Sequence, residues 1–98
     1  MDSICYILYS KCLDKFYIGF TQDSLDNRLK KHRLGFYNQA YTKITNDWVV
    51  YFFIKCDCNA QAISIEQHIK KMKSRTYIEN LKKHPEISEK LKQKYACS

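Results

Sequence analysis

Five side chains along this sequence could together attack a phosphodiester. Tyr6 and Tyr17 supply hydroxyls, Arg28 a guanidinium, His32 an imidazole and Glu66 a carboxylate. An arginine grips a phosphate through its planar fork of donors. A carboxylate can hold a hard divalent cation through oxygen. Such a cation withdraws charge from the phosphate and steadies the leaving oxygen. A base must still take the proton from attacking water. Spacing alone leaves plainer readings open. Tyr6 could be only a large strand residue, and Arg28 only part of a basic field. His32 could fringe a helix, and Glu66 with Lys70 could be an ordinary i,i+4 surface pair.

These residues need elements that hold them. Phe16-Tyr17-Ile18-Gly19-Phe20 reads as a strand, since aromatic and β-branched residues dominate it. Tyr17 and Gly19 are two apart and share one face, leaving Phe16, Ile18 and Phe20 to the other. A glycine within a strand leaves room for a close approach. Residues 3–9 form a second short apolar run. A polar connector from Ser10 to Lys15 joins the two as an antiparallel hairpin.

A helix is expected from about Leu25 to Arg33, capped by Asp23 or Ser24. Leu25 and Leu29 give its buried stripe. Arg28 and His32 are four apart and share a face, and Lys30, Lys31 and Arg33 make the rest basic. Phe36 to Asp47 reads as a loop of functional length. Its Tyr37, Tyr41 and Lys43, with Trp48 after it, include possible stacking and phosphate contacts, although Trp48 fits a core better. Residues 48–54 are apolar without alternation, which places that strand centrally with both faces covered.

Asn59 is expected to cap a helix from Ala60 to about Lys73. Ala62, Ile65, Ile69 and Met72 form its core stripe, with Glu66 at the edge. The next helix starts at Ser74 or Thr76, and Thr76 with Glu79 has the spacing of a capping box. Pro85 suits the first turn of a last helix, with Ile87, Leu91 and Tyr95 as its thin apolar seam. The pattern predicts a small α+β domain, three strands with helices against one side.

A chain of 98 residues makes one modest core. Seventeen basic residues against ten acidic ones give a net charge of +7, which favours a polyanionic partner. No apolar run approaches the length of a spanning helix, and no membrane partner is expected. The five cysteines are odd in number and irregular in spacing. That argues against a disulfide framework. A reducing cytoplasm, with no secretory signal, is the expected setting.

The joined pattern resembles the GIY-YIG nuclease family, especially its small single-domain bacterial members. It is carried by Tyr6-Ile7-Leu8, by residues 16–21, and by Arg28-Leu29-Lys30-Lys31-His32. Trp48-Val49-Val50-Tyr51, Ala62, Glu66, Ile69-Lys70 and Ser74-Arg75 extend it. Ile4 and Cys5 stand where the family's first triplet has glycine and isoleucine.

The resemblance implies a three-stranded antiparallel sheet flanked by helices over residues 1–82. Residues 83–98 would add a basic C-terminal helix packed on the same domain. It implies an endonuclease that cuts DNA, duplex or branched, with Mg2+ or Mn2+; excision-repair nucleases are among the family's members. Tyr6 and Gly19 would stand at the ends of the two family triplets. Tyr17 would be the general base, Arg28 the phosphate-binding arginine, His32 its basic helper and Glu66 the metal ligand. Lys30, Lys31, Arg33, Lys43, Lys70 and Asn80 would contact nucleic acid. A catalytically inactive nucleic-acid-binding module on the same basic surface is the alternative. No added sequence-reading module is evident, so specificity would come from DNA shape or from a partner protein.

Overall fold

The hairpin expected at the start of the chain forms, and its first strand becomes the centre of the sheet. The computed structural model describes residues 3–22, 24–33 and 47–97, with residues 31–33 described as helical backbone only. β1 (Ser3–Ser10) pairs antiparallel with β2 (Lys15–Thr21), placing Tyr6 opposite Gly19 and Leu8 opposite Tyr17. β3 (Val49–Cys56) pairs antiparallel with the other edge of β1, so the strand order is β2-β1-β3. The central strand is therefore β1, and the expectation of a central strand at 48–54 is corrected. Val49 and Phe53 are 46% and 45% exposed, as an edge strand allows. An irregularity between Ile7 and Leu8 puts Phe52 opposite Ile7 and Val50 opposite Leu8, which leaves Tyr51 as the extra residue. The bulge breaks the alternation in β3, so its apolar run does not report two covered faces.

Helices cover both faces of the sheet, not one as expected. On one face Ile4, Tyr6 and Leu8 pack with Trp48, Tyr17 and the Leu25 and Leu29 stripe of α1 (Leu25–Arg33). On the other, Cys5, Ile7, Ile54 and Cys56 meet Ala62, Ile65 and Ile69 of α2 (Asn59–Met72). Ile78 and Leu81 of α3 (Arg75–Lys83) and Leu91 of α4 (Pro85–Lys94) complete that layer. β1 serves both cores because successive strand side chains point to opposite faces. Trp48 is fully buried, as a core residue. Just before it, Asp47 accepts hydrogen bonds from Ser10 Oγ at 2.6 Å and from the Cys12 amide at 2.8 Å, which fixes the chain's return to the hairpin.

Ser24, one of the two expected caps of α1, is used, and the starts of α2 and α3 differ in detail from the expected caps. Ser24 caps α1 by accepting from the Asn27 amide at 3.1 Å. Asn59 is already helical, with Cys58 in the cap position, and its Oδ1 accepts from Ser3 Oγ at 3.2 Å. The Thr76–Glu79 box is not used: Ser74 caps α3 by accepting from the Tyr77 amide at 3.1 Å. Ser74 holds the extended backbone that a cap needs, whereas Thr76 lies one residue inside the helix.

A disulfide joins Cys58 to Cys97, against the expectation of none. The partners are 39 residues apart in sequence, but α4 returns the chain to the start of α2 and brings their Cα atoms to 6.3 Å. That separation suits a bridge, and sequence spacing could not show it. Cys5, Cys12 and Cys56 are free. Burial first, then the neighbouring Cys56 and the Glu66 carboxylate, push the Cys5 thiol well above its ordinary range, which makes it a poor nucleophile. Among the described residues no helix is long and apolar enough to cross a membrane.

Ser74→Ala should cost about 1 kcal/mol of folding stability, the usual loss for a helix cap. Thr76→Ala should stay within about 0.5 kcal/mol. Urea unfolding followed by circular dichroism separates the two. Equal losses, or a larger loss at Thr76, would contradict the observed cap.

Candidate active site

The pairing of β1 with β2 builds the centre of the site. Tyr6 lies opposite Gly19 and is fully buried. A Cβ placed on Gly19 would stand 2.7 Å from Tyr6 Oη and 2.8 Å from Tyr6 Cζ. No real Cβ contact is that close, so the missing side chain is the space that the Tyr6 phenol occupies. The close approach expected at this glycine is made by the protein's own tyrosine. Tyr17 borders the same notch, its Cε2 3.2 Å from that Cβ position. Its ring centroid lies 6.5 Å from that of Tyr6 and 6.5 Å from that of Trp48. Tyr17 is half-buried on the α1 face, as its alternation with Ile18 requires.

α1 brings the guanidinium. Ser24 starts this helix just after β2, and Leu25 and Leu29 dock it on the Tyr6 face. Arg28 lies between them in sequence and its Nε donates to Tyr6 Oη at 3.0 Å. A buried phenol requires a partner, and a charged donor makes a strong one. Arg28 also borders a cleft of about 280 Å³ with Phe20, Thr21, Gln22 and Asn59. Sequence reading gave Asn59 a capping role and missed its place beside Arg28. Nothing local signals it, because β2 and α2 meet only in the fold.

Glu66 arrives from the other face of the sheet. On α2 it follows Ile65 by about 100° of helical turn, on the flank of the core stripe. Its side chain is 14% exposed, and Oε1 accepts from Lys70 Nζ at 2.9 Å. The opposite flank of α2 meets α4 and the residues beyond it. Gln61 Nε2 donates to the Lys92 carbonyl at 2.9 Å, and His68 Nδ1 lies 2.9 Å from Tyr95 Oη. α4 also borders β3, sharing a groove with residues 52–55. The Glu66 flank therefore looks toward β2. Height along the strand agrees. α2 begins beside Thr21, while Arg75, just past its end, reaches Asp14 in the hairpin turn at 2.7 Å. Seven residues of helix rise about 10 Å, or roughly three strand residues. From Thr21 that is about the level of Ile18, on the sheet face opposite Tyr17.

The structure thus gathers Tyr6, Tyr17, Gly19 and Arg28 into one contact cluster. It carries Glu66 to the flank of the same strand pair, bonded to Lys70. Lys30 is exposed on α1, and Asn80 is half-buried on α3, where its carbonyl accepts from the His84 amide at 2.8 Å. The side chains of Lys31, His32 and Arg33, and all of Lys43, lie outside the described residues. Among the described residues no group of three or more His, Cys, Asp or Glu side chains could hold a metal. A lone carboxylate nevertheless suits Mg2+, which keeps several waters and takes one or two carboxylates with substrate phosphates.

The family profile of the GIY-YIG catalytic domain matches residues 2–82 of the chain. No curated protein and no solved structure gives a significant match.

Gly19→Ala should drive a methyl into the Tyr6 phenol and cost about 1–3 kcal/mol, the scale of overpacking in a filled core. The midpoint of urea unfolding measures it. A variant as stable as the parent would contradict the filled notch.

Proposed function

The chain belongs to the GIY-YIG nuclease family, and from that premise we propose that it is an endonuclease hydrolysing DNA phosphodiester bonds. The observation that carries this reading is the Tyr6–Arg28 hydrogen bond beside Gly19 and Tyr17. Tyr6 fixes the guanidinium through Nε, and a phosphate is gripped through the terminal nitrogens of such a fork. Tyr17, on the same strand face, takes the proton of the attacking water as its oxygen bonds to phosphorus. The bond from phosphorus to the 3′ oxygen breaks, leaving a 5′-phosphate and, after protonation, a 3′-hydroxyl.

Glu66 would hold one Mg2+ or Mn2+, which when bound would supply positive charge at the phosphate. Lys70 Nζ donates to Oε1 of the same carboxylate at 2.9 Å. Lys30, Lys31, Arg33 and Lys43 add attraction for the DNA backbone that is independent of its sequence. The substrate is duplex or branched DNA, and a DNA-repair role is in keeping with it.

Tyr17→Phe keeps the ring against Tyr6 and Trp48 and removes the ionisable hydroxyl. Cleavage in Mg2+ should fall at least about a hundredfold, the scale of a lost general base. Glu66→Gln removes a charge at nearly constant size and should fall about as far. Both variants should bind DNA in EDTA as the parent does. The assay uses plasmid, single-stranded, flap and branched DNA. Parent-like Mg2+-dependent cutting by either variant refutes that residue's role. Firm DNA binding with no cleavage by the parent on any substrate moves the chain to the inactive binding module.

A further inference from the structure

The chain's positive charge is concentrated away from the Tyr6–Arg28 cluster. Residues 70–94 contain nine basic and three acidic residues, accounting for six of the seven net charges. This stretch forms the end of α2, then α3 and α4, on the sheet face opposite α1. Part of its charge is answered: Lys70 by Glu66, Arg75 by Asp14, and Lys92 by Asp57 at 3.9 Å. Among the described residues no carboxylate pairs with Lys71 or Lys94.

Lys71 lines one cleft, and Lys94 stands beside it, its Nζ 5.6 Å from the centroid of the Tyr95 ring that lines it. A cavity of about 320 Å³ is lined by Ser64, Gln67, His68, Lys71, Met72 and Tyr95, with no acid among them. It shares Ser64 and Tyr95 with a second cavity of about 420 Å³ that runs along the Cys58–Cys97 bridge. Burial first, then the charges of Lys94 and Lys71, hold the His68 imidazole below its ordinary range. The rings of Tyr77 and Tyr95 complete the surroundings of His68, at 6.1 and 5.8 Å. A hydroxyl, an amide, a phenol and two ammonium groups are the donor set that phosphate oxygens take. The bridge at Cys97 anchors the turn that carries Tyr95, so part of the set is held in place without ligand.

His68 and Glu66 are two residues apart on α2, hence about 200° apart around the helix. The cleft and the Glu66 flank are separated by the helix's buried stripe. We propose that the cleft between α2 and the C-terminal turn is a second phosphate site, which holds one arm of a branched DNA while Arg28 holds another. The proposal rests on the nucleic-acid reading above and adds to it a reason for substrate shape to matter. An anionic membrane is the weaker partner, because Ile78, Leu81 and Leu91 of α3 and α4 are buried in the core and Tyr77 and Ile87 pack against it.

The test compares binding to an immobile four-way junction and to a linear duplex of equal length, in EDTA over a range of salt. The parent should prefer the junction. Lys71→Glu with Lys94→Glu should lose about tenfold or more on the junction and stay within about twofold on the duplex. Its log–log salt slope on the junction should fall by about two, just under one for each lost phosphate contact. Lys83→Glu with Lys90→Glu makes the same net charge change on the same helical layer outside the cleft, and should keep the junction preference. If the glutamates unfold the protein, as judged by thermal melting, Lys71→Gln with Lys94→Gln replaces them. Equal junction binding by parent and cleft variant overturns the proposal. So does an equal loss from the control pair. Loss of binding to phosphatidylserine vesicles with junction binding intact overturns it in favour of a membrane. Cleavage of the linear duplex in Mg2+ is scored separately: its absence in the parent overturns the nuclease reading alone.

Discussion

A buried phenol must find a hydrogen-bond donor or acceptor, and Tyr6 finds Arg28. Everything else around the site follows from making that contact possible. The ring can reach α1 only because the residue opposite it on β2 has no side chain. The helix can present Arg28 only because Leu25 and Leu29 seat it on the same sheet face. An unpaired buried hydroxyl costs about 1–3 kcal/mol, so the bond contributes to stability as well as to the placing of a charge. One residue, packed at the centre of the sheet, orients a guanidinium beside a surface cleft.

The second constraint is the division of labour on α2. Its buried stripe holds the sheet, and its two flanks face different ways. One flank carries Glu66 and Lys70 toward β2. The other carries Ser64, His68 and Lys71 toward the C-terminal turn. A single helix thereby serves two polar surfaces, each insulated from the other by the same isoleucines. The disulfide at Cys58 pins the start of that helix to the end of the chain.

Much of this was legible in the sequence. The alternation of Tyr17 and Gly19 against Phe16, Ile18 and Phe20 gave the two faces of β2, and the leucine stripe gave α1. Periodicity reports local geometry, and there it served well. It served poorly at β3, where a bulge put Tyr51 and Phe52 out of alternation and an edge strand read as a central one. At α3 the sequence left the start open between Ser74 and Thr76, because the Thr76–Glu79 spacing offers a competing box two residues further on. Contacts between distant segments left no local trace at all. Asn59 beside Arg28 and Cys58 beside Cys97 depend on how α2 and α4 fold back. The meeting of Tyr6 with Arg28 is of the same kind: composition offered both groups, and only the fold supplied the bond.

A double-mutant cycle on Tyr6 and Arg28 tests the account at its centre. Tyr6→Phe keeps the ring in the Gly19 notch and removes the acceptor. Arg28→Lys keeps the charge and removes the fork. Single-turnover cleavage of a duplex would be measured for the parent, each single variant and the pair. If Tyr6 acts by holding the guanidinium, each change alone slows cleavage, and the pair is little slower than Arg28→Lys. The coupling should be about 1 kcal/mol or more, within the range for residues in direct contact. Rate losses that simply add would show that the phenol and the guanidinium act separately, and the account would fail at the bond on which it rests.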